Sequence, residues 1–282
     1  MAAIALGFAS AVVWGLGDFL GGLKSRKLAL LAVLFVSQGG ALLLLVPAAA
    51  IRGEGLPDAS IVPWCALAAV AGVLGLAAFY RGLATGAMGV VAPLSSCAAA
   101  IPVAVGIASG ERPSAIQGLG VALAIAGVAA ASLEPRAAER ERARRAPGPG
   151  VTLALLAALG FGFFFVFMDR AADRDLLWAL LIQRIASTTI LAGAVLAMRP
   201  KLGMSGADLR AILAVGFLDV SANALFAAGT TLGLVSVVSV LGSLYPVTTT
   251  LLARFLLHER LRAVQRGGAA LALAGVALIS AG

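Results

Sequence analysis

Ten stretches of this sequence are each apolar for about 20 residues, the length of helix that crosses a hydrocarbon layer about 30 Å thick. They cover 2–22, 28–51, 61–84, 86–108, 114–133, 150–170, 175–198, 208–232, 233–257 and 263–281, and are numbered here as segments 1 to 10. In lipid every backbone amide must find its partner within the protein, so a spanning chain is either a helix or a strand of a closed barrel. Barrel strands alternate over about 10 residues. Runs such as Leu42–Leu45 and Ala98–Ile101 do not alternate. The composition agrees: 61% of residues are hydrophobic and 12% charged, against about 45–50% and about 25% in soluble domains. The expected fold class is therefore all-α integral membrane with ten transmembrane helices. Segment 1 lacks a charged leader region and is long enough to span, so it reads as a helix of the bundle.

One interruption differs from the others. Residues 134–149 carry eight charges and three prolines, and read as a solvated linker. It divides the chain into 1–133 and 150–282, and these halves resemble each other. At an offset of 147, Trp14-Gly15 falls on Phe161-Gly162, Phe79 on Phe226, Gly82 and Gly86 on Gly229 and Gly233, Val90-Val91 on Val237-Val238, and Ser96 on Ser243. At an offset of 148, Glu111-Arg112 falls on Glu259-Arg260, and Gln117, Gly120 and Gly127 fall on Gln265, Gly268 and Gly275. Each half is thus a copy of a five-helix unit. Five is odd, so the second copy enters the membrane upside down relative to the first, giving two inverted repeats.

Charge gives the orientation. All but five of the 21 Lys and Arg residues lie in or beside the odd-to-even loops, among them Lys24, Arg26, Lys27, Arg199, Lys201 and the linker arginines. The exceptions are Arg52, Arg112, Arg170, Arg174 and Arg184. Positive charge collects on the cytoplasmic side, which puts the linker inside and both termini outside a cell (plasma or inner) membrane. The net charge of +8 accordingly faces anionic lipid headgroups, not nucleic acid. A homodimer is compatible with the sequence, which fixes no oligomeric state.

The repeated pattern "VVAPLSS…GERPSAIQGLG" and "VVSVLGSLYPVTTTLLARFLLHERLRAVQRGG" resembles the EamA branch of the drug/metabolite transporter superfamily over essentially the whole chain. The first copy departs from the usual pattern in having Ala99 at the position of Pro246, with Pro102 later. The resemblance implies a secondary transporter, commonly an exporter of amino acids, metabolites or toxic compounds. It also implies a central cavity lined by segments 3, 4, 8 and 9 with help from 1 and 6. Some branches have cytoplasmic termini; the charge count favours external ones.

Inverted repeats place a solute site near mid-membrane at the repeat interface, where an ionisable residue is costly and points to function. Asp219 lies near the centre of segment 8, with Asn223, Phe226 and Thr230 on the same face. It reads equally as a site for a solute amine or proton and as the ion-pair partner of Arg184 in segment 7. Asp18, one turn after Trp14, is either paired with Lys24 or Arg26 near the interface or a coupling carboxylate beside an aromatic wall. In segment 9, Ser236, Ser239, Ser243, Pro246 and Thr250 form one stripe, matched in segment 4 by Gly89, Ala92, Ser96 and Ala99. Small-residue stripes pack helices together; the alternative is a cavity wall. Pro93, Pro102 and Pro246 free backbone carbonyls that must face protein or water, which favours the cavity. Gln38 and Gln183 read as interhelical hydrogen-bonding residues. Trp14, Tyr80 and Tyr245 are candidate cavity aromatics, with interface anchoring as the alternative for Tyr80. Glu111 and Glu259 read as loop and helix-end groups, and the glycines at 120, 127, 268 and 275 as packing seams.

The substrate-binding set expected is Trp14, Tyr80, Ser96, Asp219, Asn223, Ser239, Ser243 and Tyr245, with Asp18, Arg184 and Asp219 as coupling or ion-pair residues. No metal site, cofactor or catalytic set is expected. No nucleotide loop ending in Gly-Lys-Ser/Thr occurs. His258-Glu259 is followed by Arg-Leu-Arg, and Cys65 and Cys97 stand alone among apolar residues. Two other functions compete with a small-solute transporter: a flippase of a lipid-linked sugar, and a membrane-embedded enzyme on a lipid substrate.

Overall fold

A computed structural model describes residues 1–25, 27–53, 55, 57–85, 95–131, 149–201, 203–256 and 263–281. Arg26, the 86–94 stretch with Gly89, Ala92 and Pro93, the linker through 148, His258 and the Glu259-Arg260 pair lie outside the described residues.

The described chain is helical throughout, with eleven helices in chain order. These are α1 (Ala2–Ser25), α2 (Leu30–Arg52), α3 (Val62–Thr85), α4 (Ala100–Ala108), α5 (Ala115–Ala131), α6 (Pro149–Ala172), α7 (Leu176–Met198), α8 (Gly206–Thr230), α9 (Val235–Gly242), α10 (Tyr245–Leu256) and α11 (Ala263–Ala281). A 3-10 turn, Cys97–Ala99, leads into α4. Six helices, α1, α2, α3, α6, α7 and α8, are long and apolar enough to cross a membrane. Of the ten spans expected, these six are shown among the described residues. The described part of segment 4 is a short helix behind a 3-10 turn, and α5 is 17 residues long. Segment 9 is two helices, α9 and α10, separated at Ser243-Leu244. Pro246 has no amide to donate and sits in the first turn of α10, where none is needed. The break therefore falls where the sequence cannot continue a hydrogen-bond ladder.

Helix ends are capped by local chemistry. The Asp175 carboxylate accepts from Trp178 N at 3.0 Å at the start of α7. Ser205 and Asp208 cap each other at the start of α8, at 3.1 and 3.2 Å. Gly53, with φ of +65°, ends α2 in the left-handed region that glycine enters without strain. In the following loop Asp58 accepts from Ser60 N at 2.9 Å. That amide, then the Ser60 hydroxyl, and to a lesser degree Arg174, hold its carboxyl below the usual range.

The packing obeys the duplication. α1 packs on α8 and its copy α6 packs on α3, while α2 with α7, α4 with α9 and α5 with α11 pair copy to copy. A Cβ added at Gly15 would lie 2.8 Å from Tyr245 O and 2.5 Å from Thr248 Cβ. The equivalent Cβ at Gly162 would lie 2.7 Å from Ala98 O and 2.9 Å from Ile101 Cβ. Tyr245 and Thr248 are the repeat mates of Ala98 and Ile101, so the same crossing is made twice. Between α3 and α6, a Cβ on Gly160 would lie 2.5 Å from Gly75 Cα, so the two backbones touch. The α5–α11 seam is built the same way, with Gly275 against the backbone of Gly120 and Ala124.

Neighbouring pairs run antiparallel. Lys24 at the end of α1 meets Asp208 at the start of α8 at 2.7 Å, and Arg52 at the end of α2 meets Asp175 before α7 at 2.9 Å. Trp64 early in α3 faces Phe167 late in α6, and Phe79 late in α3 faces Phe161, with ring centroids 6.1 and 5.7 Å apart. The bundle thus has a Lys24 end and an Arg52 end. Tyr80 late in α3 reaches Asp18 late in α1, so α1 and α3 both finish at the Lys24 end.

Candidate functional site

Between the two copies lies a cavity of about 710 Å³, its mouth included. Its described walls come from α1, α2, α3, α6, α7, α8 and the start of α10. The polar part is built around one buried cation. Arg184 sits within α7 with its side chain 2% exposed, and its Nη1 lies 2.8 Å from Asp219 Oδ2 on α8. The same nitrogen donates to Gln38 Oε1 on α2. Gln38 Nε2 donates to Asp219 at 3.3 Å, and the Ser187 hydroxyl donates to Gln38 Oε1 at 3.3 Å. Three helices are thereby joined through a closed ring of charge-assisted bonds. One turn on, Asn223 Nδ2 donates to the Asp219 backbone carbonyl at 2.7 Å. Among the described residues that leaves Asn223 Oδ1 without a partner, and Gln183 Oε1 and Arg184 Nε are buried and unpartnered there as well. Buried polar atoms are nearly always satisfied. All three belong to residues that line the cavity.

Asp18 faces the same cavity from α1. Lys24 is engaged by Asp208, so the sequence alternative of a Lys24 pair is not what the structure has. Asp18 instead accepts from the Tyr80 hydroxyl at 3.5 Å. Gly21 leaves room for that phenol: a Cβ there would lie 2.5 Å from the Tyr80 oxygen. Trp14 packs on Phe165 and Phe226 with centroids 5.6 and 5.7 Å away. This aromatic cluster lies on the Arg52 side of Asp18. Leu34, Leu76 and Leu191 line the cavity toward the Lys24 end.

Of the residues expected from sequence, Trp14, Asp18, Arg184, Asp219, Asn223 and Tyr245 line the cavity together. Tyr80 stands behind Asp18. Ser96 is buried outside the lining. Ser239, in the helix that packs against α1 and α4, and Ser243, just past its end, are buried as well, their hydroxyls without partners among the described residues. Neither Ser239 nor Ser243 is among the described residues that line the cavity. Gln38 and Gln183 do line the cavity, as do Phe161, Phe164 and Phe165. The signal for the last group was present: Phe161 is the repeat mate of Trp14. The wall also differs from the one the resemblance implied. It draws on α2 and α7, and no described residue of segment 4 contributes.

A model of the EamA-like transporter family matches residues 1–133 and again 148–281. The chain belongs to the EamA-like transporter family. The EamA family is part of the drug/metabolite transporter superfamily, and this EamA-like chain is a multi-pass membrane protein with two family units. A protein of known crystal structure is similar in fold, with a TM-score of 0.76 over 99% of this chain and 97% of its own at 20% identity. No curated relative matches the sequence.

Proposed function

We propose that this EamA-like protein is a secondary transporter, an exporter of small organic solutes such as amino acids or drugs in the cell membrane, and not an enzyme. Solute would bind in the central cavity, and alternating access would come from rocking one five-helix repeat against the other. The observation that carries this reading is the polar ring of Gln38, Arg184 and Asp219 at mid-helix depth, exposed to a cavity between the repeats. Inversion of the repeats is supported by the contacts. α1 and α3 finish at the Lys24 end while α6 runs antiparallel to α3, so α1 and its copy α6 run oppositely. Charge puts the Lys24 end in the cytoplasm. Residues 134–149 then form a cytoplasmic linker.

The test is flux. The full chain in proteoliposomes should release preloaded radiolabelled amino acids or amines faster than protein-free vesicles, and unlabelled solute outside should accelerate exchange. Absence of flux across a broad solute panel would remove the transport reading. Single cysteines placed at Asp58 and at Gly203, in a background lacking Cys65 and Cys97, should be labelled from opposite sides of the membrane.

A further inference from the structure

We propose that the cavity selects an organic cation with an apolar body, with Asp18 as its counter-ion. This rests on the transport reading above and narrows it.

The duplication provides an internal control. Four pairs of repeat mates line the same cavity: Trp14 with Phe161, Asp18 with Phe165, Gly72 with Asp219, and Leu76 with Asn223. In three of these pairs one copy is polar and its mate is apolar. The polar members stand on α1 and α8, which pack side by side, and the apolar ones on α3 and α6, which also pack side by side. Two symmetrical halves have thus diverged to give a two-faced cavity, one wall carboxylate and amide, the other aromatic and aliphatic. A solute that satisfies both walls is itself two-faced.

Charge decides the polar end. The described lining holds two carboxylates and one guanidinium. Arg184 and Asp219 neutralise each other at 2.8 Å. Asp18 has the neutral Tyr80 hydroxyl as its hydrogen-bond partner and forms no ion pair among the described residues. A ligand ammonium beside Asp18 would complete the balance and could rest against Trp14, one turn away. An anion would face the Asp18 carboxyl and find no unengaged cation among the described lining residues. A zwitterion would need a donor for its own carboxylate, and the one guanidinium in the described wall is nearly buried and already engaged by Asp219 and Gln38.

The probe is benzyltrimethylammonium, a permanent cation with a phenyl body, titrated calorimetrically into the purified full chain in a non-ionic detergent. Phenylacetate and L-phenylalanine serve as anion and zwitterion of the same body. Saturable binding of the cation, at least ten-fold tighter than either comparison ligand, is expected. Asp18→Asn keeps an oxygen for the Tyr80 hydroxyl and should weaken cation binding at least ten-fold, while Asp18→Glu should stay within ten-fold of wild type. The proposal is overturned if the wild-type protein does not bind the cation, if phenylacetate or phenylalanine binds as tightly, or if Asp18→Asn binds it undiminished. The three-ligand comparison on the wild-type chain decides even if that variant does not fold. Flux of some other solute without cation binding would defeat this inference and leave the transport reading standing. Cation binding without flux of any solute would do the reverse.

Discussion

Removing the charge of Asp219 should destabilise the protein more than removing both charges of its pair. Asp219→Asn leaves the Arg184 guanidinium, 2% exposed, without its anion. Breaking a buried pair from one side costs about 3–5 kcal/mol. Two features hold the expected loss at the low end. Gln38 still accepts from Arg184, and Asp219 is 24% exposed, so water can partly solvate the site. The expected loss is about 3 kcal/mol. At about 2 °C per kcal/mol for a chain of this size, the midpoint of thermal unfolding should fall by about 6 °C. Adding Arg184→Met replaces the guanidinium with an apolar chain and should recover most of the loss, because swapping a whole buried pair for apolar groups is often nearly neutral. The double-mutant cycle should give a coupling of about 2–3 kcal/mol. It is read by unfolding the four proteins in the same detergent, by circular dichroism at 222 nm. A neutral Asp219→Asn, or a double variant whose losses simply add, would refute the view that this pair is a buried, interdependent unit.

Three further outcomes follow from the same geometry. Gly160→Ala pushes a methyl against the Gly75 backbone and should cost about 1–3 kcal/mol, whereas Gly118→Ala, with open space around it, should be neutral or stabilising by up to about 1 kcal/mol; unfolding midpoints of the two variants compare them directly. Glu111 accepts from Val235 N at 2.7 Å and Ser236 N at 3.2 Å, capping α9 from the other copy. Glu111→Gln should lower stability by about 1 kcal/mol, and faster hydrogen exchange at those two amides is the local readout. Asp175→Ala removes both a helix cap and the Arg52 partner and should cost about 1–2 kcal/mol, while Arg52→Ala, which breaks the ion pair but leaves the cap in place, should cost less than about 1 kcal/mol; equal losses would count against the cap as the larger contribution.

What the sequence revealed and what it hid divide along a physical line. Apolar runs report how long a helix can be, so α1, α2, α3, α6, α7 and α8 were legible. The repeat was legible because Glu-Arg and the glycines return at nearly constant spacing. Asp219 and Arg184 stood out because a charge among apolar residues needs a partner, and each was the other's nearest candidate in depth. Gln38 reads from sequence as an interhelical hydrogen-bonding residue, and it bonds to Arg184 and Asp219; its further place in the cavity wall depends on α2 lying against both α7 and α8, and that crossing leaves no periodic trace. Seam and cavity demand the same small side chains, so Ser239 and Ser243 were ambiguous. The length of segment 9 misled for a related reason: hydropathy counts apolar residues but is blind to a broken hydrogen-bond ladder, although Pro246 was a mark of it.

The crossing made twice, at Gly15 and again at Gly162, bears on energetics under the alternating-access reading. When two half-molecules share one set of joints, facing in and facing out are reached by trading places, and each end state keeps much the same inventory of contacts. The two basins are then close to isoenergetic. On that reading, a solute that fits one of them better by even a couple of kcal/mol would redistribute the population by more than an order of magnitude.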